Sequence, residues 1–119
     1  MGETRKAPPP GDMLPGTLDM LILKALERGA LHGYAIVRRV EQTSDALLRI
    51  EEGSLYPALH RMEKRGWIES EWGLSEANRR ARYYSLTGSG RRQLKDAIAA
   101  WERMTGAIGS VLRAQPKGA

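Results

Sequence analysis

The sequence predicts a mainly α-helical, α+β fold of the winged helix-turn-helix kind: a three-helix core, a two-stranded β wing and a long C-terminal helix suited to dimerisation. Three observations carry the prediction. Three helical segments with glycine stops come first. Two short strand-like runs then bracket a loop with a basic tip. A last helix carries an apolar stripe at coiled-coil spacing.

The elements are justified in order. Residues 1–13 are expected to be a disordered arm, because Pro8-Pro9-Pro10-Gly11 suits neither helix nor sheet. The winged domain is expected over 14–86. Thr17 is placed to cap a first helix running to about Glu27 or Arg28, stopped by Gly29. Leu18, Met20, Leu21, Ile22, Leu23, Ala25 and Leu26 make it apolar nearly all round, so it needs cover on more than one side. A second helix is expected over about Gly33 to Thr43, with Tyr34, Val37 and Val40 on its apolar face. The third should start at Ser54 as its cap, with Pro57 in the first turn, and end at Arg65 before Gly66.

Trp67 to Trp72 alternates, with Ile68, Ser70 and Trp72 on one face and Glu69 and Glu71 on the other. Arg82-Tyr83-Tyr84-Ser85-Leu86 is a second strand, and Gly73 to Ala81 the loop between them. Thr87 caps the last helix, the dimerisation element over 87–113. A disordered tail is expected over 114–119.

Chain length allows one domain, with roughly two-thirds of the unfolded surface buried. The formal charge is +5 and cysteine is absent, which excludes disulfides and thiolate metal sites. The longest apolar run is Met20 to Leu23, far short of the ~20 residues of a membrane span. The N-terminus has no apolar signal core, so the expected location is cytoplasmic, with no membrane partner.

The position of the charge is more informative than its sum. Residues 79–95 hold Arg79, Arg80, Arg82, Arg91, Arg92 and Lys95 and no acid. Removing these six from nineteen basic residues leaves thirteen against fourteen acids. A focused basic patch on a balanced protein is the footprint of a polyanion, or else a solvated face.

The third helix deepens this reading. At 100° per residue, Leu55, Ala58, Leu59 and Met62 form its core stripe. Pro57, His60 and Lys64 lie opposite, flanked by Tyr56 and Arg61, with Glu63 at the edge. Cationic and hydrogen-bonding groups on one outer face suit a DNA major groove. Arg79 and Arg80 at the loop tip, with Arg82 at its base, suit phosphate contact or a narrow minor groove. Arg91, Arg92 and Lys95 oppose the macrodipole at the start of the last helix, which hints at a nearby anion unless they are plain surface charges.

On the last helix, Leu94, Ile98, Trp101, Thr105, Ile108 and Leu112 follow spacings of 4, 3, 4, 3, 4, widened by Ala97, Met104 and Val111. A helix of ~25 residues is ~37 Å long and overhangs so small a domain. A second copy of the chain is the expected cover for its far end, aided by Leu18, Leu21 and Ile22. Packing against the chain's own first helix is the alternative.

Leu14-Pro15-Gly16-Thr17-Leu18-Asp19, Leu31-His32-Gly33-Tyr34, Glu52-Gly53-Ser54-Leu55-Tyr56-Pro57-Ala58-Leu59 and Tyr84-Ser85-Leu86-Thr87-Gly88-Ser89-Gly90 closely resemble PadR-family transcriptional regulators. Glu51 to Arg61, Gly66-Trp67-Ile68 and Asn78-Arg79-Arg80-Ala81 look most like the Acidobacterial-type subgroup. The resemblance spans about residues 14 to 100. It implies a dimeric winged-helix repressor whose DNA contacts fall on Ser54, Tyr56, Pro57, His60 and Lys64, with the wing over Asn78 to Arg82.

Catalysis is not expected. His32 and His60 lie on different elements, no nucleophile–base set is visible, and no cofactor or metal is implied. Gly88-Ser89-Gly90 reads as a permissive helix start rather than a phosphate loop. Trp101 has two readings: a dimer-core residue, or one wall of a site for an apolar or aromatic small-molecule effector. The reading from another class is a winged-helix protein–protein adaptor without DNA.

Overall fold

Apolar side chains at helical and strand spacing meet in one core, built from Ile22, Leu23, Leu26, Ile36, Leu55, Leu59, Met62 and Ile68, all essentially without exposed surface. The structure, a computed structural model, describes residues 16–115. The expected arm over 1–13 and the end of the expected tail, 116–119, lie outside the described residues. The elements are α1 (Thr17–Ala25), β1 (Leu31–His32), α2 (Gly33–Thr43), α3 (Glu52–Lys64), β2 (Ile68–Leu74), β3 (Arg80–Leu86) and α4 (Gly88–Arg113).

Helix α1 differs from its expected bounds at both ends. Its N-cap is Gly16, held at φ +84°, and Thr17 is the first helical residue instead of the cap. The last turn tightens: Glu27 N–H reaches the Lys24 carbonyl, so the α-helix ends at Ala25. Helix α2 has the expected bounds. The His32 side chain caps it, Nδ1 accepting from Ala35 N–H at 3.2 Å.

Helix α3 starts two residues earlier than expected, at Glu52, after Glu51 as N-cap. Ser54 is therefore inside the helix, its N–H bonded to the Glu51 carbonyl. Pro57 sits beyond the first turn, so its missing N–H leaves the Gly53 carbonyl without its helical donor. Gly53 is exposed, and water can take that role. The stop at Gly66 follows expectation. Gly66 at φ +78° donates to the Glu63 carbonyl and Trp67 N–H to the Met62 carbonyl, a Schellman ending.

The sheet has three antiparallel strands in the order β1-β3-β2, not two. The added strand β1 pairs Leu31 with Tyr84 and His32 with Tyr83. The wing hairpin β2–β3 is longer than expected, running from Ile68 opposite Leu86 to Leu74 opposite Arg80. Its turn is correspondingly short. Ser75 N–H donates to the Arg79 carbonyl, and Asn78 takes φ +61°.

Helix α4 is capped by Thr87, whose hydroxyl accepts from Gly90 N–H. Its glycine start is more than permissive. A Cβ on Gly90 would collide with the Trp67 backbone carbonyl, so α4 packs against the α3–β2 junction only because that residue lacks one. Leu94 joins the core, and the 26-residue helix then extends the molecule to 64 Å.

Candidate nucleic-acid interface

The stripe of α3 that packs inward is Leu55, Ala58, Leu59 and Met62. This leaves Tyr56, Pro57, His60, Arg61 and Lys64 exposed on the opposite side, with Ser54 half-buried at the start. The exposed groups are not equivalent. Arg61 donates to Asp19 on α1 at 2.5 Å, so its charge is already paired. Tyr56 lies over Gly33, where a Cβ would come within 2.6 Å of its hydroxyl. His60 and Lys64 make no such bond among the described residues and face a cleft of about 620 Å³, shared with Tyr56, Glu63, Arg82 and Tyr84.

That cleft separates α3 from the wing, and a polar relay crosses it. Ser70 Oγ donates to Glu63 at 2.7 Å, and Arg82 Nε donates to Ser70 Oγ at 2.8 Å. The Arg82 guanidinium lies 3.6 Å from the Glu63 carboxylate. Farther out, Arg80 stacks on the Trp72 ring at 4.4 Å and Arg82 approaches it at 5.6 Å. The charged ends of Arg79 and Arg80 have no anionic partner among the described residues. Asn78 forms the turn, and its left-handed backbone is the conformation asparagine tolerates better than most residues.

Other charges are absorbed inside the chain. Glu76 at the wing turn meets His32 Nε2 at 3.4 Å. Its carboxyl is held below the usual value first by its own backbone N–H and then by His32. Burial pushes the Tyr84 phenol up, so it stays neutral beside Arg82. Arg91 reaches the Glu27 carbonyl at the end of α1, which supplies part of the anionic neighbourhood suggested by its position. No helix of the described residues is long and apolar enough to cross a membrane, and no three His, Cys, Asp or Glu side chains among them could hold a metal ion.

Residues 22–96 match the profile of the transcriptional regulator PadR-like family. The chain belongs to this family. Its function class is therefore DNA-binding transcriptional regulation. Solved structures agree. A transcriptional regulator from Clostridium thermocellum is 35 % identical, with a TM-score of 0.72, covering 80 % of this chain and 92 % of its own. A PadR family transcription regulator from Clostridium difficile is 31 % identical at TM-score 0.71, covering 82 % and 99 %. A PadR-like transcriptional regulator from Bacillus cereus is 27 % identical at TM-score 0.74, covering 87 % and 98 %.

In this PadR-like chain the expected seam of α4 divides in two. Leu94 of the seam, 3 % exposed, and Ile22 on α1, fully buried, lie in the chain's own core. Leu18, Leu21 and Ile98 are half-buried against that core. Trp101, Met104, Ile108, Val111 and Leu112 are exposed on the overhang. Thr105 stands among them with its hydroxyl bonded to the Trp101 carbonyl at 2.9 Å. Trp72, exposed on the wing beside Arg80 and Arg82, is a residue of this surface that the sequence reading did not single out. Its signal was an aromatic side chain at a solvent-facing wing position opposite Arg82.

Proposed function

We propose that this protein is a cytoplasmic, dimeric repressor that reads an inverted-repeat operator, and that it acts by binding rather than catalysis. One observation carries the reading: His60 and Lys64 line the cleft between α3 and the wing, Arg79 and Arg80 line an adjoining cleft that shares Tyr56, Arg82 and Tyr84 with it, and none of the four meets an anionic partner among the described residues. Helix α3 would enter the major groove and the wing would meet the adjacent backbone. The overhanging apolar stripe of α4 supports a second copy as its cover. Motifs at Glu51 to Arg61 and Asn78 to Ala81 support the Acidobacterial-type subgroup. Trp101 lies on the overhang, where an apolar or aromatic effector entering between subunits would alter the spacing of the two α3 helices.

Selection of bound genomic fragments tests this directly. An inverted repeat with half-sites about one helical turn apart, or a multiple, is expected. Six or more phosphate contacts should cost roughly a thousandfold in affinity between about 50 and 200 mM salt. Retention of no duplex at low salt would overturn the reading.

A further inference from the structure

Residues on one face of the wing run in a ladder: Ile68 opposite Leu86, Ser70 opposite Tyr84, Trp72 opposite Arg82 and Leu74 opposite Arg80. The base of this face is core, with Ile68, Tyr84 and Leu86 buried. Its outer part has no core to join. Trp72 nevertheless occupies it, 55 % exposed, where a tryptophan gains little from burial. What it does contact is charge. The Arg80 guanidinium lies 4.4 Å from its ring centroid and that of Arg82 5.6 Å.

The two arginines differ in what else holds them. Arg82 is fixed through Ser70 and Glu63 to α3, so it acts as a strut between wing and helix. Arg80 has the indole alone among the described residues. A guanidinium stacked on an aromatic face keeps its in-plane N–H donors free, and its long side chain loses less freedom when it then meets an anion.

We infer that Trp72 is a positioning residue for DNA binding: its indole holds the Arg80 guanidinium, donors outward, at the second cleft of about 650 Å³ that adjoins the one between α3 and the wing, where a phosphate would pass. The inference rests on the DNA-binding reading above and adds a residue that need not touch DNA. An exposed cation–π contact corresponds to about a two- to fivefold change in affinity for each wing.

A double-mutant cycle tests it, with a labelled random-sequence duplex at low salt as the probe, because a phosphate contact needs no particular sequence. Trp72→Leu should weaken binding about two- to fivefold per wing in the otherwise unchanged protein and hardly at all when Arg80 is already Gln. Trp72→Tyr, which keeps a π face, should restore most of the loss. Circular dichroism and Tm of each variant should stay those of the parent, since Trp72 is outside the core. Equal losses in both backgrounds, or no rescue by Tyr, would overturn the inference while leaving the DNA reading intact. A parent protein that retains no duplex would overturn both.

Discussion

Two glycines show how a single missing Cβ can serve different ends. At Gly33 the obstructed atom is the end of the Tyr56 side chain, which is part-exposed and can swing away. At Gly90 it is the Trp67 backbone carbonyl, held between α3 and β2 and already accepting from Thr87 N–H. Gly33→Ala should therefore change stability by less than about 1 kcal/mol, helped by the better helix propensity of alanine. It should still weaken DNA binding, because Tyr56 is displaced on the reading face of α3. Gly90→Ala should destabilise the fold by about 1–3 kcal/mol, as overpacking does. Urea unfolding and a DNA titration on both variants check the contrast. Loss of stability by Gly33→Ala but not Gly90→Ala would reverse the assignment.

At the scale of elements, much was legible in the sequence. Helix α2, the Gly66 stop and the Thr87 cap follow from capping chemistry that acts within a few residues. The core stripe of α3 follows from periodicity. What escaped was set by contacts distant in the chain. Strand β1 is two residues long and has no pattern of its own; it exists because Tyr83 and Tyr84 pair with it. Ser54 is a good capping residue, yet the chain caps at Glu51, and Pro57 is carried inside the helix. The basic face of α3 and the wing was likewise legible as composition, but not which charges are free. Arg61 is committed to Asp19, Arg82 to Ser70 and Glu63. Arg79→Gln should thus lower the slope of log affinity against log salt by about 0.9 for each wing, with Tm unchanged. Arg61→Gln should leave the slope alone. Losing its exposed ion pair costs about 0.5 kcal/mol, or roughly 2–4 °C in Tm. A salt slope that falls equally in both variants would show that Arg61 leaves Asp19 for phosphate.

The whole molecule is asymmetric in its packing. The apolar stripe of α4 begins in the core at Leu94 and runs out to Leu112, 78 % exposed, with Trp101 and Ile108 between them. One continuous stripe thus serves two partners, the chain's own core and, on the proposed reading, a second copy. This makes the choice of probe matter. Ile98 packs against the core, so an Asp there would damage the fold and the seam together. Ile108 is half-exposed on the overhang, where the chain's own packing hardly depends on it. Ile108→Asp places a charge that, in a dimer, would be buried without a counter-ion at a cost of several kcal/mol, but that water solvates freely in a monomer. The expected result is a folded monomer with a helical circular dichroism spectrum and a cooperative unfolding transition. Operator affinity should fall to that of one half-site, because the second α3 is no longer tethered at a fixed distance. Sedimentation analysis of parent and variant reads the mass, and a titration with the full operator and a single half-site reads the tethering. A variant that keeps twice the chain mass would place the interface elsewhere than this seam. A parent that sediments as a monomer at concentrations where it binds the full operator would remove the need for a seam altogether.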